Sequence, residues 1–353
     1  MRFLLPLVVI SLTACNSANE ETSGIQHGEQ TNNADQLQNP ENTSGTAYSI
    51  GFYNVENLFD TEDDPYTEDE WFLPTSETQW DEEKYQTKLI NLAKVIDAMN
   101  EAPGGPDLIG LCEVENKAVV LDLSLQKALT ANNYEVVHFD SPDVRGIDVA
   151  AMYNPEKLHL ISARNINVPM PEDPAITTRD ILFCEFEVIE SGKLFSFYVN
   201  HWSSRRGGAE ETFFKRENCA EALLNDLNSS FLDWKSENII IVGDMNDYPT
   251  DKSLTDVLGA GEPKSASPLW NLQYENHKKG LGTYNYKGEW GCLDNVIVSE
   301  SVYFHATPVK ILKEDWMMYV NDEGEAYPNR TYGGSNYYGG YSDHLPVYFE
   351  VNL

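Results

Sequence analysis

The fold class this sequence predicts is α/β (α+β): two stacked, mostly antiparallel sheets with helices on their outer faces. Three observations predict it. Short apolar runs recur from Ala47 to the end, and several, such as Ile239-Ile240-Ile241-Val242, are apolar on both faces, as in strands covered from two sides. Turn residues at Asn154-Pro155 and Ser191-Gly192 separate successive runs and read as hairpins. Only a few stretches carry helical spacing, and each lies between strand-like runs.

Taken in order, residues 48–53 read as a strand and the acidic stretch 60–71 as a loop. In residues 81–99, Tyr85, Leu89, Leu92, Ile96 and Met99 fall three or four apart, which predicts a helix ended by Pro103-Gly104-Gly105-Pro106. A buried strand follows over 107–111, a helix over 119–132 and a strand over 134–139. Residues 147–153 and 158–163 predict one hairpin, and 181–189 with 194–200 another. A helix over 209–227 precedes strands at 239–242, 293–299, 307–312 and 347–351. One domain over 47–353 accommodates all of these.

The N-terminus is of another kind. Arg2 and the apolar stretch Phe3 to Leu12 are too short for a permanent membrane span and read as a signal segment, residues 1–15. Leu12-Thr13-Ala14-Cys15 resembles a bacterial lipobox, which implies lipidation at Cys15 and an exported lipoprotein at the outer membrane or cell surface, or in the periplasm. Residues 16–46, rich in Asn, Gln, Glu, Ser and Thr, predict a disordered tether. A tethered monomer is expected.

Charge narrows the function. The 24 Lys and Arg against 57 Asp and Glu give a formal net charge of −33 over 353 residues. Such a field repels polyanions and excludes binding of nucleic acid through a broad basic face. It leaves room for an enzyme that meets a few phosphates through a divalent ion. Cys112, Cys184, Cys219 and Cys292 match no zinc spacing, and Cys112 and Cys184 sit in apolar runs; whether any two pair, the sequence leaves open.

Polar residues repeatedly follow the apolar runs. Glu113 ends 108–112, and a carboxylate there calls for a partner such as a hard cation. Glu56 stands three residues after the first strand. Gly243 lets the backbone turn or approach closely, and Asp244 and Asn246 point one way if the extended geometry continues. His201 ends the run 195–200, and His344 follows Asp343. Asp294 after Leu293 offers an imidazole a tautomer-fixing acceptor. Each alone fits a plain surface loop; together they read as one site built from strand ends. Oxygen donors suit Mg²⁺, Mn²⁺ or Ca²⁺ better than zinc.

The order Asn54-x-Glu56, Glu113, Asn200-His201, Gly243-Asp244-x-Asn246, Leu293-Asp294 and Ser342-Asp343-His344 resembles the endonuclease/exonuclease/phosphatase superfamily, which includes pancreatic-type deoxyribonucleases and abasic-site endonucleases. The resemblance implies a four-layer sandwich with its site at one edge of the paired sheets. It implies metal-assisted hydrolysis of phosphate esters, with Mg²⁺ expected. Glu113 would be the main metal ligand, with Glu56, Asn54 and Asp343 nearby. His344, oriented by Asp294, would activate water or bind the phosphoryl oxygen. Asp244 and Asn246 would align the attacking water, and His201 would contact a phosphate oxygen or protonate the leaving oxygen.

Basic residues are scarce, so Arg145, Arg179 and Arg205 are the candidate substrate contacts, each able instead to pair with a nearby carboxylate. Tyr332-Gly333-Gly334 and Tyr338-Gly339-Gly340 could stack a base or sugar ring, or simply stiffen their loops. The expected substrate is extracellular nucleic acid. A small phosphorylated molecule or lipid headgroup is the alternative, and a non-catalytic surface-binding lipoprotein is the reading from another class.

Overall fold

The computed structural model describes residues 46–353. Cys15 and nearly all of the expected tether lie outside the described residues. β1 (Ala47–Leu58) leads to α1 (Glu82–Asp97), β2 (Leu108–Val114), α2 (Lys117–Ser124), β3 (Glu135–His138), β4 (Asp148–Tyr153), β5 (Leu158–Ile166), β6 (Ile181–Val188), β7 (Leu194–His201), α3 (Phe213–Ser230) and β8 (Ile239–Asp244). Short pieces follow: β9 (Ala260–Gly261), β10 (Leu269–Asn271), α4 (Tyr274–Lys278) and the hairpin β11 (Tyr284–Tyr286) to β12 (Glu289–Gly291). Beyond β13 (Asp294–Ser299) come α5 (Glu300–Tyr303), β14 (Lys310–Ile311), the hairpins β15 (Met318–Val320) to β16 (Ala326–Pro328) and β17 (Tyr332–Gly333) to β18 (Asn336–Tyr337), and β19 (Val347–Asn352).

Two sheets carry the architecture, in strand orders β14-β19-β1-β2-β4-β3 and β5-β6-β7-β8-β13-β10-β9. Most pairs are antiparallel, but β1 with β2 and β7 with β8 at the sheet centres, and β9 with β10 at an edge, are parallel. The carboxyl ends of both central parallel pairs carry the polar residues that follow the apolar runs.

Period-two alternation builds three cores. Ile50, Phe52, Leu108, Cys112, Phe197, Val199, Ile240, Val242 and Val296 face the space between the sheets. Their neighbours Tyr53, Val55, Ile109 and Leu111 pack under Leu89, Leu92 and Ile96 of α1. Ile239, Ile241 and Ile297 pack under Leu223 and Leu227 of α3. Helix, sheet, sheet, helix gives the four layers. The α1 start follows from Asp81, whose carboxylate accepts the Lys84 N–H at 3.0 Å, with Glu82 and Glu83 in the first turn.

Glycine sets the spacing at two points. A Cβ at Gly110 would stand 2.9 Å from Val242 Cγ2 across the two sheets. A Cβ at Gly243 would stand 2.5 Å from the Asn200 carbonyl oxygen, a backbone atom that cannot swing aside. Gly243→Ala is therefore expected to cost about 1–3 kcal/mol, read as a lowered urea midpoint, because it forces β7 and β8 apart.

Three sequence expectations change. Residues 147–153 and 158–163 form no hairpin: β4 pairs with β2 and β3 in one sheet, β5 with β6 in the other. The Asn154-Pro155 turn carries the chain from sheet to sheet, with the Asn154 N–H donating to the Asp107 carbonyl at 2.8 Å. The helix expected over 119–132 ends at Ser124, where the Ser124 hydroxyl donates to the Leu121 carbonyl at 2.7 Å and turns follow. The strand expected over 307–312 shrinks to Lys310–Ile311, since Pro308 offers the ladder no N–H. The hairpin of β6 and β7 forms as expected. Cys112, Cys184, Cys219 and Cys292 are all buried free thiols.

Candidate active site

The site lies where β1, β2, β7 and β8 end and where β13 and β19 begin. Local backbone strain marks it. Glu56, Asn57, Glu113 and Asn246 all have positive φ, 50° to 63°. Glu56 and Asn57 sit where the β1–β2 register shifts, and Glu113 where the β2–β4 register shifts. Bulges of this sort re-aim a side chain at a strand end, and each left-handed non-glycine residue costs roughly 1–3 kcal/mol.

Glu113 points into the gap between the sheets. Its Oε1 accepts from Asn54 Nδ2 at 3.2 Å and its Oε2 from the Asn57 N–H at 3.1 Å. The Asn54 amide also donates to Asp244 Oδ2 at 3.1 Å, tying β1 to β8. The Asp244 Oδ1 accepts the Asn246 N–H at 2.9 Å, and Asn246 Nδ2 donates to the Trp202 carbonyl at 3.0 Å.

The two histidines differ in charge state. His344 Nδ1 meets Asp294 Oδ2 at 2.8 Å, its Nε2 lies 3.7 Å from Asp244 Oδ2, and the Tyr284 ring covers it at 4.8 Å. Burial opposes a charge on this imidazole, but Asp294 and Asp244 outweigh it and hold its pKa well above the usual range. His201 Nε2 stands 3.7 Å from Glu113 Oε1 and 3.8 Å from Asp244 Oδ2. Burial, then Arg179 and Arg145, push its pKa well down, so it faces both carboxylates as a neutral ring. Its Nδ1 is buried without a hydrogen-bond partner.

Arg330, unmarked by the sequence reading, joins two of the expected metal ligands. Its Nε is 3.1 Å from Glu56 Oε1 and another guanidinium nitrogen 3.1 Å from Asp343 Oδ2, while the Thr331 N–H donates to Glu56 Oε2 at 2.7 Å. Nothing but a loop after Pro328 carries these residues, so no apolar pattern pointed to them. Lys88, buried on α1, donates to the Tyr341 carbonyl at 2.9 Å, and burial lowers its pKa.

The donor chemistry fits a hard divalent cation. Glu113 and Asp244 flank His201, Asp244 and Asp294 flank His344, and Glu56 and Asp343 share Arg330, with the Asn54 amide between Glu113 and Asp244. Burial raises the pKa of Glu56, with Asp343 adding to the rise; burial raises Asp244 too, with Asp294 adding. Negative charge is thus in excess at this spot, as a site for a divalent ion requires. Among the described residues, Asp244, Asp294 and His344 form the group at this spot whose ligand atoms lie within 4.8 Å of one another, and there the His344–Asp294 hydrogen bond already employs Nδ1.

Two of the three candidate arginines are internal struts. Arg179 is buried; it donates through Nε to the His201 carbonyl at 3.2 Å, to the Trp202 carbonyl at 2.6 Å and to Asp143 at 3.0 Å. Arg179→Ala is expected to strand a buried Asp143 carboxylate and to cost about 3–5 kcal/mol, read by chemical unfolding. Arg205 donates to the Asn246 carbonyl at 2.7 Å and to Asp247 at 2.8 Å, contacts Asp251, and lies over the Tyr248 ring at 4.3 Å. Arg145 alone of the three is exposed, 3.7 Å from Asp143, and its charge reaches His201.

A paired-sheet sandwich whose strand ends gather carboxylates, amides and two histidines defines a phosphoesterase-type site. The chain belongs to the Endonuclease/Exonuclease/phosphatase family, whose model matches residues 49–353; members of that superfamily are hydrolases of phosphate esters. No curated protein sequence matches the chain. Among solved structures, a mannosyl-6-phosphatase of Bacteroides thetaiotaomicron is similar at 16% identity and TM-score 0.56, over 87% of this chain and 100% of that one. The human nocturnin catalytic domain with bound sulfate matches at 17% and 0.52, over 86% and 92%. D. rerio TDP2 complexed with a single-strand DNA product matches at 15% and 0.51, over 87% and 100%. Likeness at these identities establishes the fold.

Proposed function

We propose that this protein hydrolyses phosphodiester bonds of nucleic acid with the help of a divalent metal, Mg²⁺ before Mn²⁺ or Ca²⁺. The observation that carries the reading is the His344–Asp294 hydrogen bond of 2.8 Å, set opposite Glu113 and Asp244 at one mouth. Glu113, Glu56, Asn54 and Asp343 supply the oxygen set for the metal. The metal, when bound, neutralises charge on the phosphoryl oxygens. His344, its Nδ1 held by Asp294, presents its Nε2–H to a phosphoryl oxygen or, once that proton is given up, accepts one from the attacking water. Asp244 accepts from that water, with Asn246 beside it. His201, neutral and buried, offers a hydrogen bond to a phosphate oxygen or to the departing one. Arg145 remains as a mouth cation for a flanking phosphate. Family membership and the solved relatives support phosphate-ester chemistry; the nucleic acid is the finer step.

A second reading, a small phosphorylated molecule or lipid headgroup, is favoured by the internal use of Arg179 and Arg205, which leaves little positive surface for a polyanion. The Leu12-Thr13-Ala14-Cys15 segment supports export and lipid anchoring through Cys15. Plasmid DNA, total RNA and a bis-aryl phosphodiester, each incubated with the protein in Mg²⁺ and in EDTA, test the reading. Loss of all cleavage in EDTA with nucleic acid cut in Mg²⁺ is expected; cleavage of the aryl ester alone overturns the nucleic-acid step.

A further inference from the structure

Beside the metal-ligand set lies a second feature, a cavity of about 190 Å³ bordered by Glu56, Asn57 and Arg330 on one side and by Trp71, Phe72 and Tyr332 on the other. Its aromatic walls are rigid. Phe72 stacks on Phe59 with centroids 4.2 Å apart and planes 4° apart, and Trp80 meets Phe72 edge-on at 6.2 Å. The polar tips of the deeper rings are spent inside the protein: the Trp80 indole donates to the Phe59 carbonyl at 3.1 Å and the Tyr332 hydroxyl to the Thr78 carbonyl at 3.2 Å. Trp71, at the rim, is 43% exposed and so open to a ligand from solvent. Asn57 stands at the border with Glu113; its hydrogen bond in the fold is made by the backbone N–H, which leaves the side-chain amide free.

The geometry points to this cavity as the binding site for a nucleobase of the substrate, stacked on Trp71 and read at its edge by the Asn57 amide. A flat face beside a paired donor and acceptor is the chemistry that recognises a base; a sugar offers its C–H face to the same ring, and a deoxyribose ester separates the two. The site explains how a chain of charge −33 gains hold of a nucleotide: stacking replaces the cationic grip that Arg179 and Arg205 do not supply. This inference rests on the phosphodiester reading above, for the base must sit beside a phosphate held at Glu113 and Glu56.

The test uses the full chain and three diesters sharing a 4-nitrophenolate leaving group, the other arm being thymidine, deoxyribose or methyl. The thymidine ester is expected to exceed the methyl ester about tenfold in kcat/KM. That ratio is expected to fall towards one in Trp71→Ala and to persist in Trp71→Phe. A deoxyribose ester as good as the thymidine ester, or a preference that survives Trp71→Ala, overturns the base site. Binding is read separately from hydrolysis: thymidine 5′-monophosphate is expected to quench tryptophan emission in the parent chain and not in Trp71→Phe. Quenching without cleavage of any ester keeps the base site and sinks the phosphodiester reading; no quenching at millimolar nucleotide overturns the site itself.

Discussion

His344→Ala is expected to lower kcat about 10³–10⁴-fold and, because it strands the buried Asp294 carboxylate, to lower stability as well. The imidazole is buried between Asp294, Asp244 and the Tyr284 ring, and no other described side chain stands where its Nε2 does. Proton transfer and charge stabilisation each contribute about 10²–10⁴-fold in such sites. Asp294→Asn makes the effect diagnostic. An asparagine keeps the shape but no longer favours the same tautomer or a charged ring, so it is expected to reproduce most of the loss. The control is an unfolding curve. A rate loss that persists where the unfolding curve shows the variant fully folded assigns His344 to chemistry, and a loss of less than tenfold would remove it from the reaction.

Glu113→Gln is expected to weaken divalent-metal binding by at least tenfold, and activity at limiting metal by about 10²–10³-fold. Glutamine still accepts from Asn57 and approaches the same volume, so the fold is kept while one charge is lost from the site. Titration calorimetry with Mg²⁺ and Mn²⁺ reads the binding directly. Saturating metal is expected to restore part of the rate. Unchanged affinity with a reduced rate would move Glu113 from the metal set to the substrate. Glu56 and Asp343 are held by Arg330, so their substitution frees a guanidinium as well as removing a ligand, and Glu113 is the cleaner probe.

Much of this was legible because each site residue ends or begins an apolar run. A strand buried on both faces has to surface at its ends, and a charged residue there announces where the chain leaves the core. Asn54, Glu113, His201, Asp244 and Asp294 carry that signal, and parallel pairing in both sheets brings those ends to one edge. Residues without such a run were not legible. Arg330 and Thr331 lie in a loop whose partner Glu56 is hundreds of residues away. Arg179 and Arg205 show the converse limit: sequence says that a scarce cation needs a partner, not that the partner is Asp143 or Asp247 inside the fold. The Asn154-Pro155 turn suits a tight reversal and a crossing between sheets equally well, and only the pairing of β4 with β2 and of β5 with β6 decides between them. Trp71 and Phe72 sit in what reads as a solvated acidic loop, where charge density hid the aromatic wall.

The proposed catalytic pair, His344 and Asp294, is divided between the two sheets. His344 lies three residues before β19, in the sheet of β1 and β2, whereas Asp294 opens β13, in the sheet of β7 and β8. Their 2.8 Å contact is therefore a gauge of how the two halves are seated. Slippage of a single ångström along the apolar seam, where Gly110 meets Val199 and Val242, would open that contact while every strand stayed paired with its neighbours. Activity should then vanish at lower urea than the far-ultraviolet signal of the strands, and the enzyme would report its own loosening before it unfolds.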